Sequence, residues 1–414
     1  MPVKSLTSRS LGSPLTVWRV RPRDGAACRS RGVGQPARNG MIMVVGVVGI
    51  VMPVEFLGIG ATNDGTETHA RSGPAFDPEY TVALARAHEE SGWDRVLTAY
   101  GSGSPDPAQA AALIACRTER LQLLLAHRPN VAYPTFTAKT VATLDQISGG
   151  RLTLHVITGG NDHEQQREGD TLPKDRRYDR TREAIQIFKR AWTERSPFDF
   201  HGEHYSFDDF VLDVEPAQKP RPKISFGGSS AAAYKVGAEE ADIYALWGEP
   251  LAGTAEQIAT ITQLAKDAGR PAPTFQVAFR PILGRTEEEA WEKAYATVAA
   301  IQDRTKGGET LTRRHPLKDP ENAGSQRLLA VAAQGERHDR ALWTVTAAAT
   351  GGAGNSTALV GTPETVAAAL VDYYDLGVRI LSARGYDLIP DALEFGREVI
   401  PLVRAEVARR EAAA

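Results

Sequence analysis

Two glycine-rich turns are placed where they could bind a phosphate. Thr158-Gly159-Gly160 follows the apolar stretch Leu152–Ile157. Gly227-Gly228-Ser229-Ser230 follows another stretch that ends at Phe226. A glycine-rich turn opening a helix presents free backbone N–H groups and the positive end of the helix dipole, which suits a phosphate. The Ser229 and Ser230 hydroxyls add two donors. An ordinary turn with a serine N-cap has the same sequence, and neither spacing matches a Walker or Rossmann loop. Taken alone, these residues fit both readings.

Arg280 falls inside the apolar stretch Phe275–Leu283. A charge there is costly unless it is paired or faces an anionic ligand, which favours a site. His127-Arg128-Pro129-Asn130 ends another apolar run; these residues could hold an anion or a planar ring, or only satisfy backbone carbonyls. Trp247-Gly248-Glu249-Pro250 could wall a pocket or plug a barrel mouth. Tyr386, after Arg384-Gly385, is either a proton donor or a surface tyrosine. His201 and His204 are three apart on an aromatic stretch with no third ligand nearby, which reads as structural. No CxxC, HExxH or EF-hand loop is present, so nothing points to a metal. No Ser-His-Asp or paired-carboxylate set can be assembled.

The elements that must carry these residues alternate. Val54–Gly60, Arg95–Ala99, Leu121–Ala126, Leu152–Ile157, Ile224–Phe226, Ile243–Leu246, Phe275–Leu283 and Val378–Ser382 read as strands. Continuous apolar runs such as Leu121–Ala126 suit strands buried on both faces. Between them lie helices from Pro78 to Ser91, Pro107–Cys116, Thr135–Ile147 with its Gly149-Gly150 stop, Tyr178–Glu194, Ser230 to Ala238, Thr254–Ala268, Glu287–Ile301 and Ala392–Arg409. Eight alternating units predict an α/β protein, a (β/α)8 TIM barrel with insertions after strands. The insertions are Gly159–Arg177, a hairpin over Phe198–Asp213, and a long segment at about 303–350 centred on Lys306–Ala341, a length typical of a lid or a disordered loop.

The chain has 414 residues, a formal charge of −3, 42% hydrophobic and 24% charged residues. That balance is ordinary for a soluble globular protein and argues against bulk nucleic-acid binding. Two cysteines, Cys28 and Cys116, make no disulfide framework and fit a reducing cytoplasm. Residues 1–53 differ from the rest. Lys4 and seven arginines face one acid, Asp24, before the apolar run Met41–Met52. That run is shorter than the roughly 20 residues a bilayer span needs, and the leader is too long for a signal peptide. Residues 1–53 read as a disordered or non-native extension, the natural start lying near Met43 or Met52.

Several stretches together resemble the bacterial luciferase-like flavin-dependent monooxygenases. They are Ala142–Arg151 followed by Val156–Gly159, Arg177–Glu183, and Phe226–Ser230. Tyr244–Pro250, Gly351–Gly354 and Ala358–Gly361 are similar to the alkanesulfonate monooxygenase branch. The order is kept from about Val54 to Leu402. The resemblance implies FMN, used as FMNH2 supplied by a separate NAD(P)H-dependent flavin reductase, with O2 and a small organic, possibly organosulfur, substrate. It implies that Tyr178, Gly228, Ser229 and Ser230 hold the FMN phosphate, that Thr158 and His127 lie along the ring or ribityl chain, and that Trp247 lines the pocket. Tyr386 becomes the candidate acid or anion donor and Lys306–Ala341 the lid. By the same analogy a homo-oligomer is expected.

Departures fall on the substrate side. Ser104 stands where the sulfonate enzymes carry a cysteine, Ala278 and Arg280 where they carry arginine and histidine, Thr350 for an arginine and Asn63 for a histidine. Arg280 is then expected to take over anion binding. Two rival readings are a deazaflavin-dependent oxidoreductase of the same fold and a non-catalytic flavin-binding protein.

Overall fold

Side chains alternate between the two faces of a strand, and here that alternation separates a core under the helices from a barrel interior. The computed structural model describes residues 54–306 and 320–413, all within the unit Val51–Ala414. The expected extension 1–53 and the middle of the expected lid, 307–319, lie outside the described residues. The strands are β1 (Glu55–Ile59), β2 (Arg95–Thr98), β3 (Gln122–His127), β4 (Leu152–Val156), β5 (Phe198–His201), β6 (Ser206–Phe210), β7 (Lys223–Gly227), β8 (Ile243–Trp247), β9 (Thr274–Leu283), β10 (Arg337–His338), β11 (Leu342–Trp343), β12 (Ala358–Gly361) and β13 (Val378–Ala383).

Eight strands close into a ring in the order β9-β13-β1-β2-β3-β4-β7-β8, with β8 returning to β9. Every pairing in the ring is parallel. These are the eight strands expected, and the fold is the (β/α)8 barrel. β9 outruns the barrel: Arg280–Leu283 pair with β12, which carries β11 and β10. The expected hairpin is β5–β6.

In β4, Leu152, Leu154 and Val156 join the core beneath the helices, which leaves Thr153 and His155 facing inward. Leu57, Leu124, Ile243 and Ile380 form their own apolar cluster inside the barrel. Below them Arg95 donates to Glu55 and Gln122, closing the N-terminal end. Asp145 and Arg151, both in the stretch that carries the family resemblance, serve the fold. Asp145 accepts from the backbone and amide of Gln218, and Arg151 donates to the carbonyls of Ala115, Thr118 and Leu121.

Three expectations are corrected. The long insertion is not structureless: helix Ala323–Gln334 and β10 occupy its described C-terminal part. β12 and helix Pro363–Asp375 were not anticipated. The closing helix is two, Leu388–Glu398 and Ile400–Glu411; Pro401 lacks the N–H that a continuous helix would return to Arg397, so the chain restarts there. Among the described residues no helix is long and apolar enough to cross a membrane.

His88 gives the fold a pH dependence. Its ring lies 4.9 Å from Trp93, and a Cβ on Gly58 would come 2.2 Å from it. Burial pushes its pKa down to about 4. The unfolded chain therefore takes up a proton first, near 6.5. Stability is fully present above pH 6.5, falls as the pH drops toward 4, and loses up to about 3 kcal/mol from this group. Urea midpoints of the wild type and His88→Gln across this range check it. A variant curve as steep as the wild type would remove His88 from the account.

Candidate functional site

Two cavities open at the C-terminal ends of the barrel strands and share the walls Tyr100, His155, Ile157, Glu164 and Trp247. One is a cleft of about 220 Å³. The other is a chamber of about 660 Å³, within the range of small-molecule sites.

The cleft is built around the end of β7. Gly227 takes an inward position where a Cβ would lie 2.9 Å from the Ala245 carbonyl oxygen. Gly228 has φ +149°, and a Cβ there would sit 2.7 Å from Ala233 Cβ and 3.4 Å from Tyr178 Oη. Ser230 then caps helix Ala231–Glu240, its Oγ accepting from Ala233 N at 3.2 Å. Helix Lys174–Thr193 starts four residues earlier than the expected Tyr178, so Lys174 and Tyr178 lie one turn apart and both line the cleft. Burial pushes the Tyr178 phenol up, keeping it a donor. Helix Ala323–Gln334 also begins here, capped by Asn322. Two helix N-termini, a lysine, a phenol and two serines thus surround one space with donors, which suits a phosphate.

Thr158 lines this cleft and donates to Thr181 Oγ1 at 3.1 Å. Trp247 lies across Gly324, where a Cβ would be 2.5 Å from the indole. The expected Thr158, Tyr178, Gly228, Ser229, Ser230 and Trp247 therefore come together in the cleft, and Ser104 lines the adjoining chamber with Asn63.

Three expected residues are placed elsewhere. His127 is corrected by strand parity: Ala126 faces the chamber, so His127 points to the helices. There it contacts Thr137 Oγ1 at 3.2 Å and meets the edge of Phe188. Arg280 is buried and committed. It donates to both Glu67 oxygens at 3.0 Å, to Arg384 O at 2.6 Å and to Gly385 O at 2.9 Å. Four of its five N–H groups are used, so it has little left for a ligand. Tyr386 lies beneath that guanidinium, 3.9 Å from ring centroid to Arg280 Cζ. It lines a separate cleft with His69 and Lys293, one layer behind the chamber. The exposed His201 pairs with Asp208 at 3.2 Å and has Asp199 close by, carboxylates that its spacing from His204 did not reveal.

The structure adds residues that the sequence reading passed over. His155 stands at the junction of cleft and chamber. Its Nδ1 lies 2.9 Å from Ser225 Oγ, and Nε2 has no partner among the described residues. Burial pushes its pKa down to about 4, so the ring is neutral at pH 7. Its signal was a polar residue on the inward parity of an apolar strand. Buried Arg128 bonds Glu168 at 2.8 Å and Glu164 at 3.2 Å, and stacks over Tyr100. Tyr100 in turn donates to Glu168. This network ties the loop after β4 over the shared wall. Glu67 and Arg384, at the far side of the chamber, complete the charged set.

A sequence model of the luciferase-like monooxygenases matches residues 55–379. The chain belongs to the luciferase-like monooxygenase family. It is accordingly an enzyme, a flavin-dependent monooxygenase. Solved structures similar to it include a riboflavin lyase with modified FMN and riboflavin, 19% identical with a TM-score of 0.70, covering 86% of this chain and 92% of the other. An EDTA monooxygenase from Chelativorans sp. BNC1 is 18% identical with a TM-score of 0.68, over 86% and 94%. A coenzyme-F420-dependent secondary alcohol dehydrogenase is 16% identical with a TM-score of 0.62, over 85% and 99%. These likenesses are of fold. The family's cofactor has a fitting place here: the donors around Gly228 match the phosphate end of a flavin, and the missing Cβ at Gly228 lets the turn pack against Ala233 and Tyr178.

Proposed function

We propose that the protein is the oxygenase half of a two-component system. It would take FMNH2 from a separate NAD(P)H-dependent flavin reductase and use O2 on a small organic substrate, in the manner of the alkanesulfonate monooxygenase branch. The observation that carries this reading is the continuity of the donor-rich cleft with the larger chamber across His155 and Trp247. When bound, the reduced flavin supplies the electrons that activate O2. Lys174, Tyr178, Ser229 and Ser230 hold its phosphate. Trp247 and helix Ala323–Gln334 cover it and keep water out. Neutral His155, oriented by Ser225, stands where cleft and chamber meet and would hold or pass a proton at Nε2. Ser104 lies on the substrate side.

The test is an anaerobic fluorescence titration with FMN, FMNH2 and a reduced deazaflavin. Tightest binding of FMNH2, followed by O2-dependent sulfite release from sulfonates or sulfones, is the expected result. Tightest binding of the deazaflavin would move the protein to the dehydrogenases and reductases of this fold. Flavin binding with no O2-dependent product would leave a binding protein.

A further inference from the structure

We infer that the chamber selects an organic anion, a carboxylate or sulfonate on an apolar chain, and that Arg384 is the residue that binds its charge. This rests on the reading above in taking the chamber as the substrate's place.

Arg384 directly follows β13, where Ile380 and Ser382 precede it on the inward parity, and it lines the chamber. One donor, Nη2, goes to Glu67. Among the described residues its Nη1 bonds no group, and its Nε is buried without a partner. Glu67 is already held by both nitrogens of Arg280. One carboxylate thus faces two guanidiniums, which leaves one positive charge at the chamber wall. The other lining carboxylate, Glu164, is paired with Arg128, and Arg71 lines the same space. A low-dielectric cavity with this excess attracts anions. The unengaged Nη1 of a guanidinium gives an oxygen of a carboxylate or sulfonate a charge-assisted contact. Arg280 fixes the backbone of Arg384 through its carbonyl, so the donor is positioned in advance. Ile59, Leu97, Ala126, Ile157 and Trp247 offer the carbon chain an apolar wall. Arg384 is a specificity residue; the flavin phosphate has its own site across Trp247.

The experiment is calorimetric titration of the full chain, with and without FMN, using 1-octanesulfonate, octanoate and neutral 1-octanol. The wild type should bind both anions at least about tenfold tighter than the alcohol, the scale of a charge-assisted contact. Arg384→Met and Arg384→Gln should erase that preference and leave alcohol and FMN affinity within about twofold, while Arg384→Lys keeps part of it. Both neutral variants should fold, because the Glu67–Arg280 pair survives. No preference in the wild type overturns the proposal without any variant. So does a preference kept by Arg384→Met, or a loss of FMN affinity, which would make Arg384 a cofactor ligand. Anion preference in a protein that does not bind FMN would sink the monooxygenase reading and leave the Arg384 assignment standing.

Discussion

Gly228→Val is expected to weaken flavin binding by at least about a hundredfold, or roughly 2.7 kcal/mol. The argument is spatial. At φ +149° a β-branched residue is strained, and its Cβ alone would press on Ala233 at 2.7 Å and approach the Tyr178 hydroxyl at 3.4 Å. Relieving the contact with Ala233 must shift the turn itself, which lines the same space as Lys174, Tyr178, Ser229 and Ser230. The substitution therefore removes room for the phosphate and tilts the turn that aims the backbone N–H groups of helix Ala231–Glu240. Lys174→Met separates charge from shape. It leaves the turn intact and should cost about tenfold, as the loss of one charge-assisted contact does. Quenching of flavin fluorescence reads both, with circular dichroism to confirm that the barrel is folded. Wild-type affinity in a folded Gly228→Val protein would remove the cleft from cofactor binding altogether.

The sequence reading picks out residues that the structure brings together at this cleft and misplaces those on the other side of the chamber, for physical reasons. The cleft is local. Gly227 to Ser230 sit in one turn, and Tyr178 lies on a helix whose amphipathic pattern is plain. The eight barrel strands were legible because their apolar runs are short, separated and buried on both faces. That same double burial hides which side chains face inward. His155 sits in Leu-Thr-Leu-His-Val, where alternation is faint, while His127, at the exposed-looking end of its run, falls on the helix side. The charged set is worse placed for reading. Arg384 and Glu67 are 317 positions apart, and Arg280 and Glu67 are 213 apart. A buried arginine announces a partner but not which one, so Arg280 was expected to await a ligand when a protein carboxylate had already satisfied it. Helix Ala323–Gln334 fell inside the long insertion Lys306–Ala341, whose length read as a lid or a disordered loop. Its position depends on Asn322 capping Ser325 N at 2.7 Å and on Gly324 passing under Trp247, contacts that no local pattern records.

Glu67→Gln should be the most damaging single change to stability, by about 3–5 kcal/mol, because it leaves Arg280 buried without its counter-charge. Arg280 is 2% exposed and has no water to turn to. Burial acts to raise the Glu67 carboxyl, but the guanidiniums of Arg280 and Arg384 outweigh it and hold it well below the usual carboxylate range. A carboxyl depressed in the folded state stabilises above its unfolded value, near 4.5, and that contribution is lost as the pH falls below it. This window lies lower than the one His88 opens below pH 6.5, so Glu67→Gln should flatten the acid limb below about 4.5 and leave the higher limb in place. A second substitution tests the cause. If the cost is an orphaned buried charge, the double variant Glu67→Gln with Arg280→Met should be more stable than Glu67→Gln alone, since the added change removes the charge that had lost its partner. Denaturant midpoints of the four proteins give the coupling directly. Simple addition of the two single costs would mean that Arg280 and Glu67 act independently, and the positive surplus assigned to Arg384 would then have to be counted from each side chain's own surroundings.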